Sequence, residues 1–297
     1  MTKRMLALLV MLLLMVSAMP VLAEEAPANE WTNILLLGGD ARTDENSDTY
    51  DRTDTIIVVS INRQERQMKL TSIMRDTYVR FAGKNYSAKI NAANVYGGPQ
   101  LTIDTINLCF DMGIEDYLIV NMADLVHIID LVGGVEVEVN SSERGQVNKY
   151  ARDYLRNIGT YEGQTSLEET GRVKLNGLLA VSYLRDRYTD SDFYRVMRQQ
   201  EVLLAMGQAV QDMDFDESMA IVDDVMQYVS TSLESEELKE LAMMLMSVDI
   251  ACVEQFRLPA GSAYTTGSTE TDSYRIYPNL EKNRILFQEF LNGPAAQ

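Results

Sequence analysis

The chain reads as an α/β domain with a mixed central β-sheet flanked by helices, and three features of the sequence predict it. Ile34 to Leu37 and Ile56 to Ile61 are short apolar runs rich in β-branched residues, the pattern of strands covered on both faces. Gln67 to Ile73 alternates, setting Met68, Leu70 and Ser72 against Lys69, Thr71 and Ile73. Beyond these strands, helix-like and strand-like segments alternate as far as Val139, which is how a sheet comes to be covered by helices.

Taken in order, Lys3 and Arg4 precede an apolar run from Met5 to Val16, then Ser17, Pro20 and Val21-Leu22-Ala23. Residues 1–23 therefore read as a secretory signal peptide cleaved after Ala23, the alternative being an uncleaved membrane anchor over Met5 to Leu22. Either way the rest of the chain is extracytoplasmic, secreted to the envelope or held at the outer face of the cytoplasmic membrane. Residues 24–32 form a spacer, and the sheet begins at Asn33. Gly83 to Ser87 is a turn. Leu101 to Phe110 is a helix with Pro99 near its start. Tyr117 to Val120 is a strand, Met122 to Val132 a helix stopped by Gly133-Gly134, and Val135 to Val139 an alternating strand.

Asn140 to Gly171 is polar and turn-rich and reads as a long loop, either mobile or part of a site. Leu175 to Arg185 reads as a helix. Thr189 to Met213 reads as a longer one, capped by Asp190 or Ser191, with Arg195, Arg198 and Gln199 on one side. These segments complete a catalytic domain over 33–213. Residues 214–297 add layers to it: helices at Asp216 to Tyr228 and Ser235 to Met246, a strand within Asp249 to Leu258, a loop from Ala260 to Ser273, and a closing helix from Leu280 to Leu291.

The formal charge of −18 excludes a generic nucleic-acid surface, which needs a basic field to neutralise phosphates. The single histidine, His127, sits among apolar residues of a helix and reads as structural, so a serine–histidine mechanism has no support. Cys109 and Cys252 lie in apolar surroundings and read as two core thiols, although export permits a disulfide.

The chemistry-bearing residues gather where strands end. Asp40 follows the first strand, Asp51-Arg52-Thr53-Asp54 precedes the second, and Arg75 follows the third. Open α/β sheets bind ligands at such an edge. A second arginine set lies at Arg185, Arg187, Arg195 and Arg198. Two carboxylates with several arginines suit a Mg²⁺-bound, doubly charged phosphate. Taken singly, Asp51 to Asp54 also reads as a solvated loop, Arg185 with Arg187 as a surface pair, and Lys89 as merely exposed.

The order of these motifs resembles the LytR-CpsA-Psr family of cell-envelope proteins, over roughly Asn33 to Ala209. The matching stretches are Leu37-Gly38-Gly39-Asp40, Asp51-Arg52-Thr53-Asp54-Thr55, Ser72-Ile73-Met74-Arg75-Asp76, Lys89-Ile90-Asn91, Val132-Gly133-Gly134-Val135, Arg185-Asp186-Arg187-Tyr188 and Asp192 through Gln200. The resemblance implies a transferase that moves a glycopolymer from a polyprenyl diphosphate carrier at the membrane surface to peptidoglycan. It also implies an apolar tunnel for the polyprenyl chain. Carried over by position, Asp40 and Asp54 hold Mg²⁺, and Asp40, Asp54 and Arg75 are the catalytic residues. Arg52, Arg75, Lys89, Arg185, Arg187, Asp192, Arg195 and Gln199 bind the diphosphate. Two positions depart from the family pattern: Met74 stands where proline is usual, loosening the approach to Arg75, and Tyr194 stands where glycine is usual, altering the rim. The family's older label of transcriptional attenuator does not suit an exported acidic chain. Other readings of the same residues are a polyprenyl diphosphate phosphatase, with water as acceptor, and a non-catalytic carrier-lipid binding protein.

Overall fold

The computed structural model describes residues 31–39, 52–185, 192–269 and 272–293. Along the chain run β1 (Thr32–Gly39), β2 (Thr53–Asn62), β3 (Gln67–Ile73), β4 (Tyr78–Arg80) and β5 (Ser87–Lys89). A 3₁₀ turn (Ile90–Ala92) leads into α1 (Ala93–Phe110), followed by β6 (Ile114–Val120), α2 (Met122–Leu131), β7 (Val135–Val139), α3 (Ser141–Ile158), β8 (Gly171–Leu175), α4 (Gly177–Leu184) and α5 (Asp192–Gln211). The remainder comprises α6 (Phe215–Val225), β9 (Ser230–Thr231), α7 (Ser235–Leu245), β10 (Glu254–Leu258), β11 (Tyr264–Thr269), β12 (Asp272–Pro278) and α8 (Leu280–Asn292).

The central sheet has the order β10-β3-β2-β1-β6-β9 and is mixed. β1 and β3 pair antiparallel with β2, β1 and β6 run parallel, and β10 runs parallel to β3. The apolar runs in β1 and β2 supply both faces, as their continuous hydrophobicity requires. Leu35, Leu37, Ile56 and Val58 pack against Ile103, Ile106 and Phe110 of α1 and Phe287 of α8. Ile34, Ile57, Val59 and Ile61 face the other way, toward Leu203 and Leu204 of α5 and Leu238 and Leu241 of α7. A second core joins β7 and β8 to α2, α3, α4 and α5 through Val137, Val147, Leu175, Leu179 and Tyr183. Burial and the neighbouring Glu201 and Glu143 carboxylates push the Tyr183 phenol far up, so it stays a proton donor, 2.9 Å from Glu201.

Three expectations are corrected. The stretch from Asn140 to Gly171 holds an eighteen-residue helix, α3, rather than a loop. Its apolar residues are few but helically spaced, with Val147, Ala151 and Tyr154 buried. Asn140 and Glu143 form a reciprocal capping box at its start. The predicted loop from Ala260 to Ser273 contributes β11 and the start of β12, which pair as a hairpin from Tyr264↔Pro278 onward. Leu175 belongs to β8 rather than to the helix that follows. The two cysteines also differ: Cys109 is buried under α8, whereas Cys252 is exposed, and both are free. His127 stacks on Tyr228 with ring centroids 5.2 Å apart, a packing role.

Two measurements test this architecture. Asn140→Ala removes the acceptor for the first turn of α3 and is expected to cost about 1 kcal/mol in denaturant unfolding. Desolvation pushes the Cys109 thiol up to about 11, and a hydrogen bond to Asp249 raises that of Cys252. One thiol per native chain, Cys252, is therefore expected to react with a disulfide reagent, faster as pH rises because its thiolate is scarce near neutrality. The second is expected to react only after unfolding.

Candidate active site

Asp54 is the second residue of β2, and Arg75 lies two residues beyond β3. The antiparallel register, Ile57 opposite Ser72, carried three residues further sets residue 54 beside residue 75. Arg75 Nη1 donates to Asp54 Oδ2 at 2.7 Å, with the side chains 19% and 16% exposed. Asn91 Nδ2, from the 3₁₀ turn, donates to Oδ1 at 3.2 Å. Arg195, from the first turn of α5, is almost fully buried. It donates from Nη2 to the Asp54 carbonyl at 2.5 Å, and its Nη1 lies 3.9 Å from Oδ2. One turn on, Gln199 donates to Thr55 Oγ1 at 2.7 Å. The close approach of β1 here needs glycine: a Cβ on Gly38 would sit 2.9 Å from that of Thr55.

Asp54, Thr55, Arg195 and Gln199 border a cavity of about 300 Å³, lined also by Gly38, Asn121 and Arg185 among others. Arg185 enters it from the end of α4, with its guanidinium over the Tyr150 ring at 5.3 Å. On the other side of Asp54, Arg75 Nε lies 3.4 Å from Asp76, which also takes the Lys89 ammonium at 2.7 Å. The site thus sets the guanidiniums of Arg75 and Arg195 on one carboxylate, with Arg185 on the cavity wall, groups suited to the oxygens of a phosphate or diphosphate.

Of the residues singled out in the sequence, the fold brings Asp54, Arg75, Arg195 and Gln199 together, sets Arg185 on the cavity wall and places Lys89 next to Arg75 through Asp76. Arg52 is exposed just before β2, and the described contacts of the cluster do not include it. Asp40 and Arg187 lie outside the described residues, as does the side chain of Asp192, which opens α5. Arg198 diverges from its helix neighbours: it pairs with buried Glu143 at 3.3 Å and lies over the Tyr183 ring. The Met74 amide donates to the Leu258 carbonyl at 2.8 Å, a bond that proline cannot make. Tyr194 is half exposed on α5.

Sequence reasoning gave no role to Asn91, Asp76 or Tyr150. Asn91 stands two residues after Lys89, and an amide in an otherwise apolar segment was the signal available for it. Tyr150 rides on the unexpected α3.

Fold and site together define an α/β protein with a cluster of carboxylate and guanidinium groups at the edge of a mixed sheet. The chain belongs to the LytR_cpsA_psr family, whose model matches residues 17–285. It is 35% identical over 222 residues to the polyisoprenyl-teichoic acid–peptidoglycan teichoic acid transferase TagU of Halalkalibacterium halodurans, covering 74% of this chain and 66% of that protein. It is 34% identical over 182 residues to the corresponding transferase TagT of Bacillus subtilis, covering 61% and 53%. The matched stretch thus spans only about half to two thirds of these relatives' length. Among solved structures, TagT bound to LIIa-WTA superposes with a TM-score of 0.70 at 25% identity, over 93% of this chain and 95% of that one. B. subtilis TagV superposes with a TM-score of 0.68 at 24% identity, over 89% and 98%, which speaks for the fold.

The contacts to Asp54 carry stability as well as shape. Asp54→Asn keeps the side-chain volume but removes the charge that offsets Arg75 and Arg195, and is expected to cost about 2 kcal/mol in urea unfolding. An unfolding midpoint equal to that of the parent would remove the ion pair from the stabilising interactions.

Proposed function

We propose that the chain transfers a glycopolymer from a polyprenyl diphosphate carrier to peptidoglycan, outside the cytoplasm. One observation carries this reading: beside the arginine-lined cavity, along the same sheet face, lies an apolar one. On β1, Gly38 lines the first while Leu36 and Ile34 line the second; on β6, Val120 and Leu118 divide in the same way. Residues two apart on a strand share a face. On α5, Gln199 belongs to the polar cavity and Leu203, one turn later, to the apolar one. The apolar cavity, also about 300 Å³, lies between the sheet and α5, α6 and α7. A ligand with a charged head and a hydrocarbon tail fits that succession, with the diphosphate at Arg185 and Arg195 and the isoprenoid along the sheet. The names of the relatives, which act on polyisoprenyl-linked teichoic acid and peptidoglycan, support the same substrate classes.

In this reading Arg75, Arg185 and Arg195 neutralise charge that grows on the departing phosphate as an acceptor hydroxyl attacks. Asp54, positioned by Arg75 and Asn91, accepts that hydroxyl's hydrogen bond and orients it. Gln199 and Thr55 close the cavity floor beside it. Asp54 fits as a Mg²⁺ ligand, since a carboxylate has acceptor capacity beyond these bonds; Asp40 is the second candidate. Among the described residues no three acidic, histidine or cysteine side chains converge, so the ion held here would be one that takes its other ligands from phosphate and water. When bound, Mg²⁺ would offset charge on the phosphate oxygens. The described helices include none long and apolar enough to cross a membrane, and residues 1–23 supply the export signal or anchor in this reading.

The test incubates residues 24–297 with Mg²⁺, peptidoglycan and a polyprenyl diphosphate-linked glycan labelled in the sugar. Label is expected in peptidoglycan, to fall about 100- to 1000-fold with Arg75→Ala, and to fall on chelation of the metal. Soluble labelled sugar phosphate or free glycan would overturn transfer in favour of hydrolysis. Intact donor retained on the protein would leave only a binding role.

A further inference from the structure

Between Asp76 and Asp104 the chain carries no aspartate or glutamate, although its formal charge is −18. That stretch holds Arg80, Lys84 and Lys89 and forms the β4–β5 hairpin, the 3₁₀ turn and the start of α1. At the hairpin tip three rings pack on one another. Phe81 is fully buried, Tyr86 is 40% exposed and Tyr96 60% exposed, with centroids 5.7, 6.1 and 5.9 Å apart. Val95, also exposed, extends the patch. Tyr96 is held outward by a break in α1: Gly97 and Gly98 leave helical geometry, Gly98 at φ +69°. A Cβ on Gly97 would meet the Leu101 side chain at 2.8 Å.

Among the described residues the exposed cations at the tip, like Arg66, Arg152 and Lys174, lack the carboxylate partner that several others have. Arg63, Arg156, Arg172 and Lys239 each have a carboxylate partner. Among the described residues neither Arg80 nor Lys84 has one; Arg80 Nε donates instead to the Lys84 carbonyl at 2.9 Å. The hairpin runs directly into the site, because Lys89 at its other end pairs with Asp76 and Asn91 reaches Asp54. At strand rise, Lys89 lies roughly 10 Å along the chain from Tyr86.

We infer that this hairpin tip is a distal subsite for an anionic glycan chain, in which Tyr86 and Tyr96 stack on sugar rings while Arg80 and Lys84 meet the chain's phosphates. The inference rests on the proposed function and identifies the ligand there as the polymer of the donor. Aromatic faces are electron-rich and attract the polarised C–H groups of a pyranose or polyol. A body that is acidic overall repels a polyanion, and the 77–103 segment, with cations and no carboxylate of its own, weakens that repulsion beside the site. A donor polymer leaving Arg75 and Lys89 meets the tip within a few repeats.

The test measures binding of soluble probes to the full chain, with no lipid donor present: a long glycerol-phosphate polymer, single glycerol phosphate, a neutral chitin oligosaccharide and phosphatidylglycerol vesicles. The polymer is expected to bind best, with an affinity that falls steeply with salt. Its advantage over the single unit is expected to drop about tenfold in the double variant Tyr86→Ala/Tyr96→Ala and in Arg80→Gln/Lys84→Gln, and to persist in Tyr96→Phe. The second variant alters only exposed side chains, so it reports even if loss of the rings perturbs folding. Equal polymer binding by the parent and both double variants would overturn the subsite. Vesicle binding that depends on the same four residues and is not displaced by polymer would assign the tip to the membrane instead. Equal binding of the neutral oligosaccharide would remove the anionic specificity. A chain that binds polymer through the tip but transfers nothing would fault the transferase reading alone; one that transfers while polymer binding ignores these residues would fault the subsite alone.

Discussion

The pairing of Asp54 with Arg75 is the constraint on which the site depends. It closes the open end of the β2–β3 pair, where backbone hydrogen bonding stops, and it gives Asn91 and Arg195 a common acceptor residue. Three segments therefore converge on one residue of a fourth. Placing these charges at the sheet edge costs desolvation, which short charge-assisted hydrogen bonds offset. The same arrangement leaves the Arg195 guanidinium facing a cavity.

Helix α5 translates that arrangement into a position for the whole second half of the chain. Over one and a half turns it makes four separate polar attachments: Arg195 to the Asp54 carbonyl, Arg198 to Glu143, Gln199 to Thr55 and Gln200 to Ser72. Each joins a different place in the sheet or in α3, so the helix has one rotational setting. Its later turns then present Leu203, Met206 and Val210 to the apolar cavity. The polar start and apolar continuation of one helix thus line a polar and an apolar cavity in turn.

Charge is distributed with the same economy. The body is acidic, yet at the cavity Arg195 is buried among polar partners and Arg185 is partly buried, where bulk repulsion and salt screening matter less. The acid-free hairpin from β4 to β5 continues that local reversal to the surface.

What the sequence by itself determined was the central sheet and the chemistry of its edge. Continuous β-branched runs admit little besides buried strands, so β1, β2 and β3 were legible to within a few residues, and so were Asp54 and Arg75 at their ends. The motif order was enough to mark the family. The tertiary structure decided the rest, because those features arise from contacts rather than from period. Helix α3 is polar over most of its surface, and only Val147, Ala151 and Tyr154, against the second core, make it a helix worth forming. Strand β11 is made of threonine, glycine, serine and tyrosine, and β12 is mostly polar; they become strands by pairing with each other and, at Ile276, with the chain at Asp76, so little local pattern distinguished them from a loop. Arg195 and Arg198 sit three residues apart on one helix and look equivalent in sequence; one reaches Asp54 and the other Glu143, because an ion pair is chosen by which carboxylate the fold brings within reach.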